Sequence, residues 1–205
     1  MGRRISKIKK YNSYAVLGDG QTEQYYLEHL KKIKGYKYIV RPRLFKSITI
    51  ELADELIQEM LKEGYDMVVY FTDYDTIVQQ GKMAKYNKIV AKYQKRSDVL
   101  ICESMPSIEF WFLLHYIKTT RNFQNAGEAL KEIKKYLPGF SKETSFLEKQ
   151  KWVEDLCRDD KLTDAMKNAS EILEEKEQGH VGDYFPYTKV GLGIEWFERK
   201  TNEGG

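Results

Sequence analysis

Carboxylates follow two apolar segments of this chain, at the point where each segment ends. Residues 14–17 lead into a Gly-Asp-Gly-Gln-Thr-Glu loop containing Asp19 and Glu23, and residues 67–72 lead into Asp73 and Asp75. If the two segments are neighbouring parallel strands, these carboxylates meet in one crevice, where two charges about 4 Å apart repel by roughly 4 kcal/mol at an effective dielectric near 20. A divalent cation would relieve that repulsion. The pattern therefore predicts an oxygen-ligand site for Mg²⁺ or Mn²⁺ and phosphoryl chemistry.

Each acidic loop also has a simpler interpretation. In the first loop, Thr22 would cap a helix and Glu23 would complement the helix dipole. In the second, Asp75 would cap the element that follows. The first loop is not a P-loop, because no Gly-Lys-[Ser/Thr] follows it, and it lacks the full G-x-G-x-x-G fingerprint. The presence of a second acidic loop at an equivalent place favours a metal site.

A third segment, after the predicted fourth strand, adds Glu109 and His115. Ser107 has the position of a helix N-cap, so Glu109 lies in the first helical turn. There it either completes the acidic cluster or serves the helix dipole. Glu109 and His115 lie roughly 120° apart around a helix, so we do not expect both to bind one ion. A core position for His115 is at least as compatible with the sequence.

Basic residues form a second group with regular spacing. Cations three or four residues apart lie along one face of a predicted helix: Lys82, Lys85, Lys88, Lys92 and Lys95, joined by Arg96. With the basic N-terminal arm, this stripe would hold a nucleic-acid backbone through counterion release. A solvated charged face is the alternative for any such stripe.

The elements that must position these residues alternate between strand and helix. Strands are predicted at 13–17, 36–45, 67–72 and 98–102, and helices at 22–34, 50–62 and 81–96. This alternation predicts an α/β fold with a mainly parallel sheet flanked by helices, and a ligand site beyond the carboxyl ends of the strands, where strand order reverses. From residue 108 onward only helices are predicted, at 108–116, 126–136, 145–157, 160–176 and 189–200.

Length and composition indicate an ordinary globular protein of 205 residues, 41% hydrophobic and 32% charged. We expect a basic flexible arm at 1–12, an α/β core at 13–118, and a helical C-terminal portion at 119–205 packed on that core as one structural unit. Without a membrane span or secretory signal in the sequence, we expect a cytoplasmic protein. The spacing of Cys102 and Cys157 predicts buried reduced thiols.

The three acidic motifs, taken in order, resemble the RloB family of bacterial restriction- and phage-defence-associated proteins. They are a G-[DE]-G-x-T-E loop, a D-x-D pair and an S-x-P-x-x-E-x-W-x-x-x-H segment, and they run from Gly18 to His115. A weaker likeness at residues 186–188, with Leu192, resembles the family's C-terminal Pro-x-Thr element. That family is similar to Toprim-fold enzymes, in which an acidic residue after the first strand and a D-x-D pair bind magnesium for phosphodiester chemistry.

The resemblance implies a Toprim-like fold and a Mg²⁺ or Mn²⁺ cofactor. It implies metal ligands at Asp19, Glu23, Asp73 and Asp75, with Glu109 as a further candidate. Asp19 stands where we would expect glutamate, which shortens the reach of that ligand by one methylene. The family also resembles defence modules encoded beside an ATPase, so an ATPase partner is implied as well.

The resulting hypothesis is a Mg²⁺-dependent nuclease that cleaves DNA or RNA in bacterial antiviral or abortive-infection defence. The candidate catalytic residues are Glu23, Asp73, Asp75 and Glu109. Glu23 or Glu109 would be the general base, and Lys46 or a lysine of the basic helix would neutralise charge in the transition state.

Two alternatives stay open. Residues 69–76 also resemble the haloacid-dehalogenase phosphatase motif, in which Asp73 would be the nucleophile and Asp75 the acid and base. That motif should open its sheet, whereas here it lies on the predicted third strand. The other alternative is a non-catalytic binding or sensor subunit of a defence complex, whose acidic pocket is a remnant or takes metal only for structure.

Overall fold

The computed structural model describes residues 12–41, 48–179, 182 and 184–203. The strands are β1 (Tyr14–Gly18), β2 (Tyr38–Arg41), β3 (Met67–Asp73), β4 (Val99–Met105) and β5 (Tyr187–Thr188). They form one sheet in the order β2-β1-β3-β4-β5, in which the first four strands are parallel and β5 is antiparallel to β4. The predicted α/β class with a mostly parallel sheet is confirmed.

Helices surround this sheet. They are α1 (Gln21–Lys34), α2 (Ile50–Glu63), α3 (Tyr74–Gln79), α4 (Met83–Tyr93), α5 (Ile108–Leu113), α6 (Ala126–Ile133), α7 (Thr144–Leu147), α8 (Lys151–Cys157), α9 (Lys161–Gln178) and α10 (Val190–Asn202). Within the described ranges, no helix combines the length and the apolar content that a bilayer span requires.

Alternating strand residues supply two hydrophobic cores on opposite faces of the sheet. Val16 and Val69 lie in the larger core, which also contains residues of α1 and of the helices from α5 onward. Leu17 and Val68 lie in the smaller core with residues of α2, α3 and α4. Because the central strands are buried on both faces, they read as continuous apolar runs in the sequence.

The strand order reverses between β1 and β3. The chain passes from β1 to β2 on one side and then to β3 on the other, and the register pairs Gly18 with Phe71. The adjacency of the two strands that precede the acidic loops is therefore confirmed. In open α/β sheets, this reversal point is where ligands bind.

The C-terminal portion completes the sheet as well as covering it. β5, which we did not predict, pairs Thr188 with Ser104 at the carboxyl end of β4. α10 approaches the sheet so closely that a Cβ on Gly193 would lie 2.9 Å from Cζ of Phe71. The absence of a side chain at Gly193 is what permits this contact.

Several boundaries differ from the sequence prediction. The predicted helix at 145–157 is two helices, α7 and α8, and α3 was not predicted. The predicted second strand extends over 36–45, whereas β2 is Tyr38–Arg41. Residues 42–47, which include Lys46, and residues 1–11 of the expected arm lie outside the described residues.

Candidate metal centre

Asp19 is held over the end of β3 by three hydrogen bonds. Its N–H donates to the carbonyl oxygen of Phe71 at 3.1 Å. Its carboxylate accepts from the hydroxyl of Tyr70 at 3.0 Å and from that of Thr72 at 2.6 Å. Burial raises the pKa of Asp19 to about 6, although the Thr72 and Tyr70 hydrogen bonds oppose this shift. The loop after β1 therefore places a carboxylate next to β3, as the sequence predicted.

Glu23 lies in the first turn of α1 and is only 4% exposed. Its Oε2 accepts from the N–H of Gly20 at 3.0 Å. Gly20 is the N-cap residue, a role that the simpler interpretation gave to Thr22. Burial raises the pKa of Glu23 to about 7, and the charges of Glu109 and Asp19 add to this effect.

Gly18 lets α1 begin directly behind the strand end. A Cβ on Gly18 would lie 3.0 Å from both Cβ of Glu23 and Cγ of Gln24. The carbonyl oxygen of Gly18 accepts from Nε2 of Gln24 at 2.8 Å. This close approach brings Glu23 to the same edge of the sheet as Asp19.

Asp73 is the last residue of β3, and its Oδ1 accepts from the N–H of Ile108 at 2.8 Å. In return, the N–H of Asp75 donates to the carbonyl oxygen of Pro106 at 3.1 Å. These two hydrogen bonds tie the turn after β3 to the turn after β4. Burial raises the pKa of Asp73 well above its usual value, and the charges of Glu23 and Glu109 raise it further.

Glu109, in the first turn of α5, has a fully buried side chain. Its Oε2 accepts from Oγ of Ser107 at 2.6 Å, and its Oε1 lies 2.8 Å from Nζ of Lys142. Burial favours the neutral amine of Lys142, but the charges of Glu109, Asp73 and Glu23 outweigh it and raise its pKa. No sequence pattern singles out Lys142, which is one of 34 lysines and arginines and lies outside the acidic motifs.

Asp75 is placed differently from Asp73. Because β3 ends at Asp73, Asp75 lies in the first turn of α3. Its Oδ2 accepts from the N–H of Ala126 at the start of α6, at 2.9 Å, and its Oδ1 accepts from the hydroxyl of Thr76 at 3.3 Å. Asp75 thus binds the N-terminus of α6, while its charge still acts on Asp73. It lies at the edge of the acidic cluster.

We define the acidic cluster as the carboxylates of Asp19, Glu23, Asp73 and Glu109. The charges of Asp19 and Glu109 act on Glu23, and those of Glu23 and Glu109 act on Asp73. Across the described ranges, no three histidine, cysteine, aspartate or glutamate side chains already form a metal-binding group. The hydrogen bonds from Gly20 and Ile108 each engage one carboxylate oxygen, of Glu23 and Asp73 respectively. Buried like charges with oxygen donors fit an oxygen-preferring divalent cation in their chemistry.

The predicted nucleic-acid stripe lies on and just after α4, and carboxylates neutralise much of it. The ion pairs are Lys82 with Glu51 at 3.2 Å, Lys85 with Glu51 at 2.9 Å, Lys92 with Asp54 at 2.7 Å and Arg96 with Asp98 at 2.6 Å. Lys88 and Lys95 have no ion pair among the residues that the structure describes. The stripe is therefore less positive than its sequence indicates.

His115 lies in the core, with Nδ1 3.0 Å from the carbonyl oxygen of Trp111. Burial lowers the pKa of His115 to about 3, and the ionic neighbour that acts on it is Lys161, not an acid of the cluster. Both cysteines are free. Burial raises the pKa of both thiols, that of Cys157 to about 11.

The segment at residues 186–188, which resembles a Pro-x-Thr element, hydrogen-bonds to the carboxyl end of β4. The hydroxyl of Thr188 lies 2.7 Å from that of Ser104 and accepts from the N–H of Val190 at 3.2 Å. Ser104 is the register partner of Asp73. Thr188 therefore supports the sheet one strand away from the acidic cluster.

The family model described as RloB-like protein matches residues 14–196 of this chain. The matched range contains every acidic residue discussed above, together with Lys142 and Thr188. Comparisons with curated proteins and with solved structures found no match. The resemblance predicted from the motifs is confirmed at the level of the family.

Proposed function

We propose that this chain, which belongs to the RloB-like protein family, is a divalent-cation-dependent nuclease that hydrolyses phosphodiester bonds in DNA or RNA. The observation that carries this proposal is the meeting of Asp19, Glu23, Asp73 and Glu109 at the carboxyl ends of β1, β3 and β4. A substrate would enter at the same place, because the strand order reverses there.

Asp19, Glu23 and Asp73 would hold Mg²⁺ or Mn²⁺, with Glu109 and Asp75 at the edge of the donor set. A bound cation would supply polarisation of the scissile phosphate and stabilisation of the leaving oxygen. Tyr70 and Thr72 orient the carboxylate of Asp19 toward the end of β3, which supports a ligand role for this shorter side chain.

A general base is available within the cluster. In the metal-free protein the pKa of Glu23 is about 7, so its carboxylate can accept a proton near neutral pH. Glu109 is the other candidate, but its two oxygens contact Ser107 and Lys142. Glu23 is therefore the better-placed base wherever it is not a metal ligand.

The proposal includes a Toprim-like arrangement of the core and a role in bacterial antiviral or abortive-infection defence with an ATPase partner. Its support is the likeness of the three motifs and the position of the acids at the strand-order reversal. Phage plating on cells that express the chain with Asp73→Asn, compared with the unchanged chain, tests the defence role.

The direct test is cleavage of plasmid DNA and of RNA by the purified full chain in Mg²⁺ or Mn²⁺. Asp73→Asn and Asp19→Asn should each lower the rate by about a hundredfold or more, since each removes charge that stabilises the transition state. Asp164→Asn, an exposed residue in the first turn of α9, is the matched control and should keep full activity.

The same assay separates the alternatives. The purified chain is offered p-nitrophenyl phosphate as well. If it hydrolyses this substrate, and if Asp73→Asn abolishes that activity while Asp19→Asn keeps it, the chain is a phosphatase and not a nuclease. The hydrogen bond from Ala126 argues against that outcome, because it directs the carboxylate of the expected acid and base toward the start of α6. If the unchanged chain hydrolyses none of these substrates, the result supports the third hypothesis, a non-catalytic binding subunit.

A further inference from the structure

Lys142 contacts the acidic cluster through its ammonium group while its side chain stays partly exposed. Its side chain is 42% exposed, whereas the Glu109 carboxylate that it contacts at 2.8 Å is fully buried. The segment between α6 and α7 that carries it is anchored by Phe140, whose ring packs against Phe112 and Trp152. Lys142 therefore lies at the mouth of the cluster, on a segment that does not depend on the ion pair for its anchoring.

The ammonium of Lys142 acts on more than its direct partner. Its charge also reaches the carboxylates of Glu23 and Asp73. In the described part of the chain, Lys142 is the only lysine or arginine in an ion pair with any carboxylate of this cluster. A phosphodiester entering the cluster would meet mostly negative charge, with Lys142 as the protein's own compensation.

We propose that Lys142 is the phosphate-binding residue of this site, held in place by Glu109 until a substrate arrives. The inference rests on the proposed nuclease function and deepens it. An ammonium carries three N–H donors, so Lys142 can keep its ion pair with Glu109 and direct a hydrogen bond to a non-bridging phosphate oxygen. The step is non-covalent and moves no proton.

This role requires effects of opposite sign on two ligands. Because the ammonium adds positive charge to the cluster, it opposes a divalent cation bound to the same carboxylates. Because a hydrogen bond from a charged donor favours a phosphate oxygen, it supports the nucleic acid. A purely structural lysine would change both affinities in the same direction, or neither.

The test uses Lys142→Met, Lys142→Arg and the control Lys149→Met, an exposed lysine between α7 and α8. Mn²⁺ affinity is measured by calorimetry without nucleic acid. Affinity for a labelled single-stranded DNA and a labelled RNA is measured by fluorescence anisotropy in excess Ca²⁺.

We expect Lys142→Met to weaken oligonucleotide binding about tenfold or more while Mn²⁺ binding stays equal or tightens. Lys149→Met should remain within about twofold of the unchanged chain, and Lys142→Arg, which keeps the positive charge, should retain more oligonucleotide affinity than Lys142→Met.

Oligonucleotide affinity of Lys142→Met equal to that of the unchanged chain would overturn the inference. So would a loss of Mn²⁺ affinity as large as the loss of oligonucleotide affinity. In either case, cleavage that still depends on Asp73 would leave the nuclease proposal standing. An unchanged chain that neither binds Mn²⁺ nor cleaves would overturn both proposals together.

Discussion

At the scale of single residues, the acidic cluster is a concentration of negative charge in which Glu23 and Glu109 are buried and Asp19 and Asp73 are partly buried. The pKa values of Asp19, Glu23 and Asp73 are all raised, chiefly by burial, and mutual repulsion adds at Glu23 and Asp73. Such an arrangement costs stability in the metal-free protein, because the ionised forms are disfavoured. Raised carboxylate pKa values of this kind are typical of functional sites.

The pKa of Glu23 is raised from 4.5 to about 7 on folding, so the folded protein binds the proton more tightly. This contribution to stability is fully present below pH 4.5 and is lost as the pH rises through about 7. Without metal, this carboxylate should therefore contribute about 2 kcal/mol less to the free energy of unfolding at about pH 8 than at about pH 5.5. Buried His115, whose pKa is lowered to about 3, contributes with the opposite sign over this range. The measured quantity is therefore the difference between the unchanged chain and Glu23→Gln in urea denaturation in EDTA.

Asp19, with a pKa raised to about 6, contributes with the same sign. Glu23→Gln removes one ionisation and should lose less stability than the unchanged chain as the pH rises through about 7. Glu174→Gln, an exposed position on α9, should leave the profile as it is. Parallel pH profiles of the unchanged chain and Glu23→Gln over this range would contradict the burial of this acid.

At the scale of elements, hydrogen bonds between turns hold the cluster together. Asp73 accepts from the N–H of Ile108, which fixes the start of α5, and Asp75 accepts from the N–H of Ala126, which fixes the start of α6. The two aspartates of one motif therefore hydrogen-bond to the N-termini of two different helices. The two residues should respond to mutation in opposite ways.

Asp75→Ala should lower the free energy of unfolding by about 1 kcal/mol, since it removes the acceptor at the N-terminus of α6. Asp75→Asn keeps an oxygen acceptor and should cost less. Asp73→Asn should raise the stability of the metal-free protein, because it removes one of the repelling charges and keeps an acceptor for Ile108. Urea denaturation in EDTA distinguishes these cases, and equal losses for Asp73→Asn and Asp75→Ala would refute the assignment.

The basic stripe on α4 can be tested by releasing its lysines. Glu51→Gln frees Lys82 and Lys85 from their shared carboxylate. If the stripe binds nucleic acid, affinity at low salt should rise a few-fold and its salt dependence should become steeper. Glu132→Gln also frees two cations, near α6, and is the matched control. Equal responses of the two variants in anisotropy titrations would argue against α4 as the interface.

At the scale of the whole molecule, some features were readable from the sequence and others were not. The long apolar run of β3 and the alternation of strands with helices predicted the neighbouring acidic loops correctly. The partner of Asp75 could not be predicted, because Ala126 is far away in the sequence and was brought close by packing. The position of Lys142 beside Glu109 could not be predicted for the same reason. β5 has only two residues, which are too few to show a periodicity.

The C-terminal portion and the core share one packing interface. α10 lies against β3 and β4, where a Cβ on Gly193 would be 2.9 Å from Cζ of Phe71 and 3.2 Å from Sγ of Cys102. This contact joins the last helix to the strand that ends at Asp73. We therefore expect residues 12–203 to unfold as one cooperative unit.

Gly193→Ala tests whether the C-terminal portion and the sheet unfold together. Overpacking costs about 1–3 kcal/mol and the higher helix propensity of alanine offsets about 1 kcal/mol, so the free energy of unfolding should fall by up to about 2 kcal/mol. Gly191→Ala, in the same helix, is the control, because its Cβ would meet Cζ3 of Trp111 at an ordinary 3.5 Å. It should be neutral or slightly stabilising. Circular dichroism and tryptophan fluorescence should report one shifted transition for Gly193→Ala; two separated transitions would mean that the C-terminal portion folds independently of the strands that carry the acids.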